Sequence, residues 1–212
     1  MNMLKYILCL GMATGCLLSA TNNLQAQGRF DASAFFGANF SQIDGDGAGN
    51  YSHLGLRGGV GTSFYLGEDA DSPWRVVVEL AFTQKGSNIN NELLERTITL
   101  NYVEMPLMMS YTLLDGTLRL AAGVAPAVQV GARVSDGGEE NVAQEENFRR
   151  FDWCPLTVSA RYLFSYSIAV EARFQTSMLS VVDQAASGTY RLFRDNRGAF
   201  NRTVSIGLSY CF

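Results

Sequence analysis

Thr203-Val204-Ser205-Ile206-Gly207-Leu208-Ser209-Tyr210-Cys211-Phe212 places Val204, Ile206, Leu208, Tyr210 and Phe212 on one side and Thr203, Ser205, Gly207, Ser209 and Cys211 on the other. Successive side chains of a strand point to opposite faces, so this alternation reads as a strand with one apolar and one polar side. About seven segments upstream repeat the pattern, most of them with arginine, lysine or glutamate on the polar side. A sheet whose polar side is charged and whose other side is uniformly apolar closes around a wet interior and shows its apolar face to lipid. The fold expected is all-β, an eight-stranded antiparallel up-and-down transmembrane β-barrel, and the place expected is the outer membrane of a Gram-negative bacterium.

Working back toward the amino terminus, Phe30 to Phe40 exposes Phe30, Ala32, Ala34, Phe36, Ala38 and Phe40, with Asp31, Ser33, Gly37 and Asn39 inward. Leu54 to Leu66 turns Arg57, Gly59, Gly61, Ser63 and Tyr65 inward, and Trp74 to Lys85 does the same with Arg75, Glu79, Thr83 and Lys85. Thr97 to Leu113 is apolar at even positions (Ile98, Leu100, Tyr102) and then at odd ones (Met105, Leu107, Met109, Tyr111). A change of parity calls for an extra residue, so a β-bulge is expected near Val103 to Pro106, turning Glu104 inward; Pro106 cannot donate to a ladder. Thr117 to Val134 is expected to face Arg119, Gly123, Gln129, Gly131 and Arg133 inward. Trp153 to Leu163 contributes Thr157, Ser159 and Arg161, and Ser167 to Met178 contributes Glu171, Arg173, Gln175 and Ser177.

Connections alternate in length. Gly67 to Pro73, Leu114 to Gly116 and Phe164 to Tyr166 are short, whereas Ser41 to His53, Gly86 to Arg96, Ser135 to Asp152 and Leu179 to Arg202 are long. Outer-membrane barrels keep short turns in the periplasm and long loops outside. Energetics fixes which face is which. An arginine on the lipid face costs ~2–4 kcal/mol at the midplane. Arg57, Arg119, Arg161 and Arg173 together would then rival a whole folding stability of roughly 5–15 kcal/mol. Inside, they can meet Glu79, Glu104 and Glu171, and such charges must be paired to be tolerated. A connected lumen network of Arg57, Arg75, Glu79, Lys85, Glu104, Arg119, Arg161, Glu171 and Arg173 is therefore expected, filling the barrel and leaving no open channel.

Residues 1–26 read as a secretory signal: Lys5, an apolar run from Tyr6 to Leu18, then Leu24-Gln25-Ala26 as a cleavage site. A lipoprotein signal cut before Cys16 is the rival, but Ala13-Thr14-Gly15 lacks the usual leucine. Cleavage leaves residues 27–212 as one barrel domain, too short for a porin. The net charge of −4 for the 212-residue chain becomes about −5 on losing Lys5, which argues against nucleic acid as a partner. Only Cys154 and Cys211 then remain, and they are expected at opposite rims, beyond disulfide reach, as free thiols.

Phe36-Gly37-Ala38-Asn39-Phe40-Ser41, Glu79 followed by Gln84-Lys85-Gly86-Ser87, and Tyr102-Val103-Glu104-Met105-Pro106 resemble a family, the PorT-like small outer-membrane β-barrels. Gly123 and the terminal aromatic fit as well. The resemblance covers nearly all of the mature chain and implies an outer-membrane barrel without a known activity. One branch of that family is associated with protein secretion and gliding, and no residue here assigns the chain to it. The resemblance also implies that Phe212 is the signal read by the barrel-insertion machinery.

Chemistry-bearing candidates are sparse. His53, the single histidine, would have to serve any histidine-dependent enzyme, with Ser52 beside it; a solvated loop position is expected instead. Asp44-Gly45-Asp46-Gly47-Ala48-Gly49-Asn50 fails the calcium-loop spacing, because Ala48 and Gly55 fall where ligands are required. Glu139, Glu140, Glu145 and Glu146 make one loop acidic, while Arg191, Arg194, Arg197 and Arg202 with Tyr190, Phe193 and Phe200 suit lipopolysaccharide or an envelope protein. Met105, Met108 and Met109 do not converge on a soft-metal site. No catalytic, cofactor or metal site is expected. The reading is a monomeric structural or interaction barrel acting through its outer loops, set against a narrow transport pore, a lipid-modifying enzyme and, architecturally, a soluble lipocalin-like barrel.

Overall fold

In the computed structural model, residues 30–44, 51–66, 72–91, 94–136, 139–140, 148–165, 167–181 and 199–212 are described, so the expected signal 1–26 lies outside them. The strands are β1 (Phe30–Asp44), β2 (His53–Tyr65), β3 (Trp74–Asn91), β4 (Leu94–Glu104), β5 (Leu107–Leu113), β6 (Leu118–Asp136), β7 (Glu139–Glu140), β8 (Phe151–Leu163), β9 (Ile168–Thr176) and β10 (Phe200–Cys211). Ladder order runs β2-β1-β10-β9-β8-β6-β4-β3, with β2 also paired to β3, which closes the ring. β4 and β5 are two halves of one stave, since both pair with β3 on one side and β6 on the other. Eight antiparallel staves therefore make the wall, with β7 a short extension on β6. Among the described residues no helix is long and apolar enough to cross a membrane.

The outer wall is apolar. Phe36, Leu56, Val60, Leu80, Met109, Ile206 and Leu208 are all exposed on it. Its periplasmic edge carries edge-to-face aromatic pairs, Trp74 with Tyr111, Tyr162 with Phe164 and Tyr210 with Phe212. Such a girdle marks the lower membrane interface, where rings with an apolar body settle. The turn from β5 to β6 sits below it, with Leu114, Asp115 and Gly116 all at positive φ (51°, 49° and 94°). Asp115 and Gly116, the two central residues between the Leu114 carbonyl and the Thr117 N–H it accepts, form the left-handed pair of a tight hairpin turn that matches strand twist.

The expected bulge in the fourth stave is absent. Its register against β3 and against β6 is the same on both sides of Met105-Pro106, and even-numbered residues stay buried from Ile98 through Ser110. Pro106 only interrupts the ladder, because it has no N–H to give. Ile98, Leu100 and Tyr102, expected on the lipid side, point into the barrel, where they are buried. The extra residues lie elsewhere. β6 shifts register where Asn101 pairs with Gly131 and Tyr102 with Gln129, so Val130 and Gly131 share the outer face. β8 shifts between Cys154 and Thr157, leaving Pro155 and Leu156 both outward. The first bulge turns Arg133, expected inside, to an exposed position on the outer wall and turns Val134 inward.

These shifts mark where the membrane ends. Phe40, Val204 and Phe174 align across β1, β10 and β9, and the next outward positions above them are Gln42, Arg202 and Thr176. Likewise Phe82 and Val103 give way to Gln84 and Asn101. Above that ring the barrel turns right side out. Ile43, Ile98, Leu100, Tyr102, Val134 and Val181 pack together inside, with Phe148 against them. The segment Gly86 to Arg96, expected as a long loop, is mostly strand: β3 and β4 continue pairing to Asn91 and Leu94.

Candidate functional site

All nine lumen charges named from the sequence lie on the inner wall, in three tiers. The middle tier is a complete mesh. Glu79 meets Arg57 at 2.8 Å, Arg161 at 3.3 Å and Arg173 at 2.8 Å, while Glu171 meets the same three at 3.5, 2.6 and 2.8 Å. Four strands supply these residues, and glycines make the room. Gly37 and Gly207 stand opposite each other, and Gly207 opposite Glu171. A Cβ on Gly37 would come within 2.6 Å of the Gly207 Cα, so this part of the wall is backbone only. Arg57 also stacks over Phe35, its guanidinium carbon 4.2 Å from the ring centroid. Desolvated charges in this number persist only when each is contacted from several sides.

The upper tier is a pair, Lys85 Nζ to Glu104 Oε1 at 2.6 Å, both side chains buried. Gln175 donates to Glu104 at 3.3 Å, and Lys85 lies 3.6 Å from the Cys154 sulfur. Above it, Asp152 accepts from Ser177 and, at 3.4 Å, from Asn201, which also reaches the Tyr102 hydroxyl at 3.3 Å. The lower tier is Asp31, bound to Arg75 at 2.7 Å and to Arg119 at 3.6 Å. The expected single network is thus three groups, with no direct ion pair between tiers among the described residues.

Sequence reasoning did not rank Asp31 or Asp152 as network members. Asp31 stood at an inward position without an obvious partner. Asp152 falls in the Ser135 to Asp152 loop of the sequence reading, because the bulge at Pro155-Leu156 hides its inward parity. His53 is corrected: it begins β2, is buried on the inner wall, and its ring edge lies close to Gly86. Its Nε2 has no hydrogen-bond partner, and Ser52 instead donates to the Asn88 carbonyl. Cys154 and Cys211 are both free thiols. Met108 is buried inside while Met105 and Met109 are exposed outside, so they stay apart.

Among the described residues no cluster of histidine, cysteine and carboxylates is arranged to hold a metal. Asp44 closes an ion pair with Arg202 at 2.8 Å, and the rest of the Asp44 to Asn50 loop lies outside the described residues. So do Glu145, Glu146, Tyr190, Arg191, Phe193, Arg194 and Arg197. A cavity between the lumen side chains measures about 20 Å³, water-sized at most, and another of about 10 Å³ lies in the wall where Gly37 meets Gly207. A far larger recess of about 760 Å³ lies on the outer wall, lined by Trp74, Tyr111, Ala122, Ala160, Ala172 and Phe174 among others.

Among solved structures the chain is similar to Ail, the attachment invasion locus protein of Yersinia pestis, determined with the heparin analogue sucrose octasulfate. That match has 13% identity over 87% of this chain and 99% of that one, with a TM-score of 0.49. Neisserial surface protein A matches at 10% identity over 88% and 98% of the two chains, TM-score 0.48. OprG of Pseudomonas aeruginosa matches at 13% over 87% and 96%, TM-score 0.41. No curated protein matches the sequence significantly. Residues 23–183 match the family described as the outer membrane protein beta-barrel domain, and the chain belongs to that family of Gram-negative outer-membrane barrels.

Proposed function

We propose that the protein is a closed barrel that works through its outer end, as a structural or interaction protein of the envelope, and not as a conduit. The observation that carries this reading is the double seal of the lumen. A buried mesh of Arg57, Arg161 and Arg173 with Glu79 and Glu171 fills the middle, and the Ile98, Leu100, Tyr102 and Val134 cluster fills the outer end. A solute would have to break charge pairs in low dielectric and then displace a packed apolar plug. The test is conductance of the purified barrel in planar bilayers. No steps above the lipid background are expected, and reproducible unitary steps would favour a narrow pore.

The outer rim supports lipopolysaccharide as a neighbour. Arg133 and Arg150 are exposed there, above the ring where the outer wall turns polar, at the height where phosphorylated sugars lie. An enzymatic role has little support, since the one histidine faces the sealed lumen and not the leaflet. Kinship with the PorT-like family rests on the Tyr102 to Pro106 and Gln84 to Ser87 motifs, no residue assigns the chain to its secretion-linked branch, and a secretion role rests on that kinship alone. Comparing the exported proteins of a deletion strain with those of its parent tests it: an unchanged profile rejects secretion and leaves the envelope role standing. Phe212 ends the lower aromatic girdle, which suits the insertion signal. Assembly of a Phe212→Ala variant, expected to be reduced, tests that role.

A further inference from the structure

Interior charge does not balance at the periplasmic end. Below the Lys85–Glu104 pair, the described inner wall carries Arg57, Arg75, Arg119, Arg161 and Arg173 against Asp31, Glu79 and Glu171. Arg119 is the most weakly paired of these cations. Its one carboxylate is Asp31 at 3.6 Å, which Arg75 already holds at 2.7 Å, and its Nε has no hydrogen-bond partner. Directly opposite Arg119 across the β6–β8 ladder stands Arg161. Like charges in that position repel unless something neutralises them. Arg161 spends its own contacts on Glu79 and Glu171, which two other arginines share.

Between Arg75, Arg119 and Arg161 is a cavity of about 20 Å³, completed by the hydroxyl-bearing Ser63, Ser110 and Ser159. Ser110 is 3% exposed and its Oγ has no partner; Arg75 is 7% exposed and its Nε has none either. Glu79 reaches the same cavity, with its oxygens turned to Arg57, Arg161 and Arg173. The volume holds one water-sized sphere. A water would satisfy the hydroxyl and leave the charge, whereas a phosphate or carboxylate ligand exceeds the space.

We infer that this cavity is a halide site that takes a single chloride ion, bound by Arg119 and Ser110 in the field of Arg75 and Arg161. A monovalent anion offsets the excess of cations around the cavity, and largely buried guanidinium and hydroxyl donors are the groups that suit a small anion stripped of water. The site depends on the lumen alone and stands whether or not the outer end binds a partner.

The experiment uses the full mature barrel in detergent, crystallised from bromide, with bromide located by anomalous scattering. A peak in the cavity is expected for the wild type and its loss for Arg119→Gln. In solution, chloride is expected to slow urea unfolding several-fold relative to gluconate at equal ionic strength, because gluconate cannot enter. That difference should vanish in Arg119→Gln and shrink in Ser110→Ala, which keeps every charge if the first variant fails to fold. An empty cavity in bromide crystals, a peak that survives Arg119→Gln, or a chloride effect equal in all three proteins overturns the site.

Discussion

Arg173 Nη1 lies 2.8 Å from Glu79 Oε2, and neither side chain is more than 1% exposed. Around this contact every one of three arginines touches both carboxylates, so the two signs are unequal in what their loss leaves behind. Glu79→Gln leaves Arg57, Arg161 and Arg173 sharing Glu171, and an uncompensated buried charge costs about 3–5 kcal/mol. Arg161→Gln instead leaves a balanced set, and its loss should resemble that of a charged hydrogen bond, about 1.5–3 kcal/mol. Urea unfolding in detergent micelles, followed by tryptophan fluorescence, is expected to rank Glu79→Gln well below Arg161→Gln. Equal losses would mean that the mesh acts as separate pairs.

Lys85 and Glu104 form the simpler case. Their side chains are 1% and 0% exposed and 2.6 Å apart, with Gln175 as the second contact of Glu104. Lys85→Met alone strands a buried carboxylate, with an expected cost of about 3–5 kcal/mol. Lys85→Met combined with Glu104→Gln removes both charges and keeps an acceptor for the Gln175 amide. The double variant is expected to regain most of that loss in the same unfolding assay. A double variant no better than the single one would show that neighbouring charges, and not the pair, hold Glu104.

The height at which the wall changes character can be measured. Val60 is exposed at mid-wall, opposite Leu80, whereas Thr97 lies on the outer side of β4 above the polar ring, opposite Asn88 and Ser135. Val60→Arg places a charge in hydrocarbon at about 2–4 kcal/mol. Thr97→Arg places the same charge in water, within about 0.5 kcal/mol of neutral. Folding yields into lipid vesicles are expected to fall for the first and hold for the second.

That boundary is also where the sequence stops being readable by alternation alone. From Trp74 to Phe82, and from Val204 to Phe212, alternation separates two faces, and the charges Arg75 and Glu79 of the first segment say which face is inside. At Ile98, Leu100 and Tyr102 the same alternation continues with lumen and exterior exchanged, because the solvent beyond the wall has changed from lipid to water. Period 2 reports that two faces differ, not what lies against each. The apparent change of parity in the fourth stave was that exchange of solvent. The true bulges left fainter marks: the adjacent Pro155-Leu156, both apolar, and the small Gly131 after Val130. The inward parity of the lumen charges was legible because membrane burial admits one answer for an arginine. Their division into tiers was not, since it depends on stagger between strands far apart in sequence.

The β5–β6 turn carries a local cost that can be relieved. Leu114 has φ 51° and is exposed, with no side-chain burial to compensate a left-handed backbone that branched and bulky residues avoid. Asp115 at φ 49° tolerates that region better, and Gly116 at φ 94° suits it best. Leu114→Asn keeps the chain length and the Thr117 N–H bond to the residue-114 carbonyl at 3.0 Å, while supplying a residue type that visits the left-handed region more readily. The variant is expected to gain about 1 kcal/mol, read as a higher urea midpoint with an unchanged slope. Because the turn belongs to a hairpin that closes locally, the gain should also appear as faster folding into vesicles if this hairpin forms early. A gain confined to the unfolding rate would place its formation after the transition state.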